Sequence, residues 1–245
     1  MSEVAAVWWR RPRLPSAEPD LDEDHRMFVR SEWEHFLGGV EAFGGKLWVN
    51  SPAANRSASF KAPQLLAAQS VGLRIPRTLI TNDPEAVRQL AATGVPLVYK
   101  RIGAAPRPPM ATKLLLPSDI ERLSTLPACP AIFQEHIPAR LDIRVTIIGT
   151  EVYAAEIESQ KGTSPLDWRF DYTVPFRSHE LDSSIRDRLL RLMHRMSLVY
   201  GAIDLRLKPD GEYVFLEINP NGQYLFIELL TGIPLTEKMA DLLST

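Results

Sequence analysis

Residues 214–224, "VFLEINPNGQY", place Glu217, Asn219 and Asn221 at alternate positions of an otherwise apolar strand. Side chains alternate across a strand, so these three polar groups share one face. The stretch just upstream supplies a partner. "KPDG" (208–211) is a turn signature, so 202–207 and 212–219 are expected to pair antiparallel. With Leu207 opposite Glu212, Asp204 falls opposite Phe215 and diagonal to Glu217. One face then carries Ile203, Leu205, Leu207, Val214, Leu216 and Ile218 and reads as core. The other carries Asp204, Arg206, Phe215, Glu217 and Asn219.

Diagonal neighbours stand about 7–8 Å apart at the backbone, close enough for two carboxylates to converge on one cation. Like charges at that separation repel unless a cation lies between them. Two carboxylates and an amide oxygen form a hard, oxygen-only set that suits Mg²⁺ or Mn²⁺ and not zinc. The plain alternative is a solvated polar face in which Arg206 neutralises the acids. "LDIRVTIIG" (141–149) repeats the pattern, with Leu141, Ile143, Val145 and Ile147 on one side and Asp142, Arg144 and Thr146 on the other. Lys61, Lys100 and Arg169 are cations that, taken singly, read as surface or ion-pair residues.

The bulk properties exclude several classes. At 245 residues, 45% apolar and 24% charged, the chain can bury a full core. A net charge of -2 gives no global case for nucleic acid or an anionic membrane. The single cysteine, Cys129, rules out an internal disulfide and suits a reducing cytoplasm. No apolar run reaches the roughly 18 residues of a membrane span, and "MSEVAAVWWRRPRLP" lacks the apolar core and cleavage site of a signal peptide.

Along the chain, "AAVWW", "KLWVN", "RTLIT", "PLVYKR", "TKLLL", "AIFQEHI", "LDIRVTIIG" and "EVYAAEIE" read as strands, the last two joined by a tight Gly149-Thr150 turn. Residues 22–43 read as a helix with Phe28, Trp33, Phe36 and Leu37 on one stripe. "SASFKAPQLLAAQSVG" reads as one helix capped by Ser57 or Ser59, 83–94 as a helix capped by Asp83, and 182–200 as a long helix. A short helix is expected from Ser118. Hairpins mixed with helices in this order predict an α+β protein.

The order and spacing of "QEHIPARLDIRVTIIG", "SQKGTSPLDWRFD" and "GAIDLRLKPDGEYVFLEINPNGQYLFIE" resemble the ATP-grasp superfamily, most closely the ligases that mature microviridin-type graspetides. The likeness covers most of the chain from "VWWRRP" onward. It implies an ATP-grasp fold of two α+β subdomains clasping ATP, divided into 1–55, a remnant of an N-terminal domain; 56–133, the lid; and 134–245, with the metal site. "VWWRRP" resembles the last strand of that N-terminal domain, so Trp8 and Trp9 are expected to lack cover.

By the same resemblance, Lys61 and Lys100 contact the ATP phosphates. Gln134, Glu135, His136 and Ile137 form the hinge over adenine, and Asp142 sits at the ribose. Asp204, Glu217 and Asn219 bind Mg²⁺ or Mn²⁺, while Arg144 and Arg169 face the transferring phosphoryl group or the substrate carboxylate. The implied reaction activates Asp or Glu side chains of a ribosomally made precursor peptide, leader plus core, as acyl phosphates and closes ester or amide cross-links. No nucleic acid or membrane partner is implied, and a homodimer is compatible. The chain departs from many relatives at "RIGAAPRPPMATKLLL" (101–116), which is proline-rich where a glycine-rich phosphate flap is usual. The competing readings are a ligase adding free amino acids to a protein carboxyl terminus, as ribosomal-protein glutamate ligases do, and a nucleotide- or peptide-binding module without turnover.

Overall fold

The computed structural model describes residues 4–12, 15, 19–43, 47–103 and 110–244. The proline-rich stretch 104–109 lies outside them. The strands are β1 (Ala6–Trp8), β2 (Leu47–Val49), β3 (Thr78–Thr81), β4 (Leu97–Lys100), β5 (Lys113–Leu114), β6 (Ala131–Glu135), β7 (Leu141–Ile148), β8 (Glu151–Ile157), β9 (Phe176–Ser178), β10 (Tyr200–Leu207) and β11 (Tyr213–Asn219). The helices are α1 (Glu23–Gly39), α2 (Pro52–Ala58), α3 (Lys61–Ser70), α4 (Pro84–Ala91), α5 (Pro117–Glu121), α6 (Ser183–Arg195), α7 (Leu225–Thr231) and α8 (Leu235–Leu243). No helix among the described residues is long and apolar enough to cross a membrane.

A five-stranded antiparallel sheet in the order β11-β10-β7-β8-β9 forms the base, and a four-stranded antiparallel sheet, β3-β6-β4-β5, stands beside it. The alternation of β7 decides which face of the base is dry. Ile143, Val145 and Ile147 pack with Ile203 and Leu205 of β10 against Leu65 and Ala68 of α3 and Leu189, Leu192 and Met193 of α6. The opposite face carries charge over β7 and β10. Toward β8 and β9 it is covered by an apolar cluster including Trp168, Phe176, Tyr224, Ile227 and Leu235. The small sheet has its own core, where Val87 and Leu90 of α4 meet Leu97, Leu123, Leu126 and Phe133.

Several expectations need correction. "SASFKAPQLLAAQSVG" holds the end of α2 and all of α3, broken at Ser59-Phe60. Ser51 caps α2, its hydroxyl accepting the Ala54 N–H at 3.2 Å, and Phe60 precedes α3 without a side-chain cap. Extended backbone at Phe60 restarts the chain so that Lys61 and Gln64 leave α3 toward β11. The helix expected over 182–200 ends at Arg195, because Tyr200 is already paired with Ile148 in the sheet. The stripe on α1 exists, but Phe28 and Phe36 are 64% and 53% exposed, so it joins no described core. Trp8 does have cover: its ring stacks on Tyr224 at 6.2 Å between centroids, and β1 pairs in parallel with β2.

Asn50, at the end of β2, is 1% exposed and hydrogen-bonds in four directions. Its amide donates to the carbonyls of Tyr200 (2.8 Å) and Pro220 (3.0 Å), and its carbonyl accepts the N–H groups of Val199 (2.7 Å) and Tyr200 (2.8 Å). One side chain thereby fixes both the start of β10 and the turn after β11. Truncation leaves buried backbone groups unpaired, each costing about 1–3 kcal/mol. Asn50→Ala is expected to lower stability by about 3 kcal/mol or more in urea unfolding, without changing the m-value.

Candidate active site

The charged face of the base is built from the same triplet twice. Asp142-Ile143-Arg144 on β7 and Asp204-Leu205-Arg206 on β10 run antiparallel, with Asp204 opposite Arg144 and Arg206 opposite Asp142. Each acid therefore meets the arginine of the other strand. Arg144 Nη1 donates to Asp204 Oδ1 at 2.8 Å, and Arg206 Nε donates to Asp142 Oδ1 at 3.0 Å. All four residues are buried, where an unpaired charge would be very costly.

The remaining bonds of this quartet reach outward. Arg206 donates to the carbonyls of Ile137 (2.8 Å), Pro165 (2.9 Å) and Leu166 (3.1 Å). Asp142 Oδ2 accepts the Ser159 hydroxyl at 2.5 Å, so both oxygens of the residue expected at the ribose are engaged inside the protein. Burial pushes the Asp142 carboxyl up, against the pull of Arg206 and Ser159. Arg144 lies 5.7 Å from the Trp168 ring and donates to the Gln223 carbonyl at 3.3 Å, while its Nε is buried without a partner. Gly222 makes this approach fit: a Cβ there would stand 2.3 Å from Ala202 Cβ and 3.0 Å from Arg144 Nη2.

A β-bulge sets the second tier. The register of β10 and β11 shifts between Asp204 and Leu205, so Leu205 pairs with Phe215 and Asp204 pairs directly with Glu217. The expected uniform alternation is therefore wrong at three places. Phe215 belongs to the core, Val214 stands opposite Arg206, and Leu216 faces the cleft beside Glu217. Bulges redirect side chains in this way, often next to active sites.

Glu217 is the electrostatic centre of the opening. Lys61 Nζ donates to its Oε2 at 2.6 Å, and Arg169 Nη1 lies 3.8 Å from Oε1. Burial pushes its carboxyl up, but Lys61, Lys100 and Arg169 together outweigh that and hold it at about 2. Asp204 moves the other way: burial raises it, Glu217 adds to the rise, and Arg144 opposes it. Asn219 lines the same opening, its Oδ1 accepting the Asn221 N–H at 2.9 Å. Among the described residues, no three His, Cys, Asp or Glu side chains cluster as a metal site. Asp204, Glu217 and Asn219 still offer the hard oxygen atoms a divalent cation takes: Asp204 Oδ2 has no hydrogen bond among the described residues, and Glu217 Oε1 faces only Arg169, at 3.8 Å.

Two neighbouring cavities lie between the sheets. The larger, about 260 Å³, is lined by Lys61, Lys100, Arg101, Arg169, Glu217 and Asn219 among others. The smaller, about 50 Å³, lies between Val98, Leu166 and Leu216 and is edged by Gln134, Glu135, His136 and Ile137. Lys100 and Thr112 line both. Burial lowers the Lys100 ammonium, with Glu217 opposing. Gln134 donates to the Thr78 hydroxyl at 2.8 Å and Glu135 holds Arg74 at 3.1 Å, so their side chains serve the sheet. The N–H groups of Glu135 and His136 are taken by Arg77 and Pro96 carbonyls, whereas the Ile137 N–H has no acceptor among the described residues.

The structure thus gathers Lys61, Lys100, Arg169, Glu217 and Asn219 around one opening, with the hinge residues along a second and Asp142, Arg144 and Asp204 beneath. Sequence reading missed Arg206 as the link from the hinge to the loop carrying Arg169, and Gln64, which donates to Ile218 O (2.8 Å) and accepts its N–H (3.1 Å). The repeated D-x-R triplet could have revealed Arg206. Nothing local marks Gln64.

No family model matches the chain, and no curated protein matches it in sequence. Solved structures do. Macrocyclase MdnC of Microcystis aeruginosa MRC, bound with precursor peptide MdnA, gives a TM-score of 0.87 at 34% identity, over 99% of this chain and 78% of that one. Macrocyclase MdnB of the same organism gives 0.79 at 31% identity, over 98% and 76%. A Chryseobacterium gregarium RiPP-associated ATP-grasp ligase, in complex with ADP and a leader and core peptide, gives 0.88 at 29% identity, over 98% and 76%. The likeness to these structures over nearly the whole chain makes the fold that of an ATP-grasp ligase. Within that class, the chain belongs to the family of ATP-grasp macrocyclases of ribosomally made peptides.

The depressed Glu217 carboxyl has a stability consequence. Its folded value of about 2 lies below the usual 4.5, so its contribution is complete above about pH 4.5 and disappears as the pH falls through about 2. Urea unfolding of the wild type is expected to lose stability over this window more steeply than Glu217→Gln. Parallel curves would mean that the three cations do not hold Glu217 ionised.

Proposed function

We propose that the chain uses ATP to activate Asp or Glu side chains of a ribosomally made precursor peptide and closes them into ester or amide cross-links. The observation that carries this reading is the cleft's charge: Lys61, Lys100, Arg101 and Arg169 line one cavity with a single carboxylate among them, Glu217. Such an excess of cations calls for a polyanion, and the neighbouring slot offers apolar contacts at Val98, Leu166 and Leu216. The base would lie there, reading the free Ile137 N–H, with the phosphates running past Lys100 toward Lys61 and Arg169. That the Chryseobacterium relative holds ADP and a leader and core peptide supports the use of a nucleotide and a peptide.

Asp204, Glu217 and Asn219 would hold the divalent ion, which supplies charge neutralisation to the phosphates. The chain's own groups do the rest. Arg169 faces the γ-phosphate and stabilises the charge redistributed during transfer. A carboxylate oxygen of the peptide takes the phosphoryl group, giving an acyl phosphate and ADP. A Ser, Thr or Lys side chain then attacks the carbonyl carbon, phosphate leaves, and a proton passes to solvent. Arg144 supports Asp204, and Asp142 acts through Arg206 on the hinge. The division 1–55, 56–133 and 134–245, with the small sheet as lid, would have its second boundary inside β6 and α3 packed on the base. The enzyme would act in the cytoplasm, where ATP and reduced thiols prevail.

Calorimetry with MgATP is expected to show Lys100→Ala weakening binding about tenfold to a hundredfold, the scale of one lost charge-assisted hydrogen bond. Arg169→Lys should leave that affinity nearly unchanged and slow ADP formation with precursor peptide about ten- to a thousandfold. MgATP binding without ADP formation would favour a binding module, and ADP formation driven by free amino acids would favour the amino-acid ligase.

A further inference from the structure

Asp167 lies two residues before Arg169, in the loop between β8 and β9, and is only 5% exposed. Its carboxylate grips the Arg169 guanidinium with a two-bond fork, accepting Nε at 2.7 Å and Nη2 at 2.8 Å. Oδ2 also faces the Thr112 N–H at 3.4 Å, and Thr112 precedes β5 of the small sheet. That contact crosses the cleft, because Thr112 lines both cavities. The carbonyls just before Asp167, on Pro165 and Leu166, are held by Arg206, so the carboxylate is anchored from behind.

Arg169 needs this restraint. Its side chain is 50% exposed, and a half-exposed arginine samples many rotamers that point away from any one target. A bidentate carboxylate removes most of that freedom and leaves Nη1 directed toward Glu217 at 3.8 Å. The Asp167 bonds also raise the Arg169 guanidinium, so it stays charged throughout.

We propose that Asp167 is a positioning residue for phosphoryl transfer: it fixes the Arg169 fork over the cleft and couples that alignment to docking of the small sheet through the Thr112 amide. The proposal rests on the ATP-grasp ligase reading. Asp167 touches no reacting atom and acts through Arg169, so nucleotide affinity should be nearly indifferent to it.

The test is NMR of the Arg169 side-chain Nε–H and the Thr112 amide, with and without the probe MgAMPPNP. Beside it stands single-turnover ADP formation from MgATP with precursor peptide, which Asp167→Asn should slow about tenfold and a merely structural ion pair would leave unchanged. Calorimetry of MgAMPPNP and thermal melting accompany it. In the wild type, the Arg169 Nε–H should be a resolved, slowly exchanging signal. Asp167→Ala should erase it and speed Thr112 exchange about tenfold, the scale of one lost hydrogen bond, while MgAMPPNP affinity stays within about threefold. Asp167→Asn, close to isosteric, serves if the alanine variant does not fold; it should move the Arg169 signal toward that of a free guanidinium. A folded variant with unchanged Arg169 and Thr112 signals overturns the proposal. A wild type that fails to bind MgAMPPNP would overturn the ligase reading instead, and the Arg169 signal without nucleotide would still decide whether the fork exists.

Discussion

The crossed pairs Asp142–Arg206 and Arg144–Asp204 impose a constraint that the remainder of the site obeys. Four charges buried on two adjacent strands are tolerable only if each meets its opposite with good geometry. Because both triplets follow the D-x-R pattern and the strands are antiparallel, one register satisfies both pairs. A slip of two residues would set Asp204 against Asp142 or Arg144 against Arg206. A slip of one would turn either charged set into the core. The quartet thus specifies the β7–β10 alignment, whatever its net contribution to stability.

That fixed alignment gives the bulge its meaning. With Asp204 locked to Arg144, a regular β11 would leave Glu217 displaced from it along the strand. The extra residue, Leu216, brings Glu217 directly across from Asp204 and turns an apolar side chain into the slot beside the hinge. Two carboxylates face to face are destabilising alone. Here one is tied to Arg144 and the other to Lys61, and three cations hold Glu217 ionised while burial and the Glu217 charge push Asp204 up.

How much of this was legible follows from the range of each interaction. The α+β class, most strands, the Asp83 cap and the charged faces of β7 and β10 depend on local periodicity and turn chemistry, which the sequence displays directly. The bulge was not legible, because "VFLEIN" alternates equally well without it; the balance is decided by Phe215 reaching the core formed by α3 and α6. The break at Ser59-Phe60 is likewise tertiary. Unbroken, the helix would not present Lys61 to Glu217 and Gln64 to the Ile218 backbone, contacts spanning more than half the chain. Strand alternation raised Asp204, Glu217 and Asn219 as an oxygen set, the family pattern supplied the other candidate roles, and the hydrogen-bond partners came from the fold. Asp142 illustrates the difference: its place in "DIR" suggests a ligand contact, whereas Ser159 and Arg206 occupy both its oxygens.

The same connections explain why hinge and reactive loop would act together. Arg206 holds the Ile137 carbonyl on one side and those of Pro165 and Leu166 on the other. A planar guanidinium pinned by Asp142 offers these donors in fixed directions, so a shift at Ile137 cannot be absorbed by Arg206 alone. It is passed to the backbone carrying Asp167, hence to Arg169. Thr112 adds a second route from the small sheet to the same carboxylate. Both elements that would clasp a nucleotide therefore converge on one arginine. If Asp167 positions Arg169 as proposed, a cleft wired this way would align its cation best when base slot and small sheet are set together.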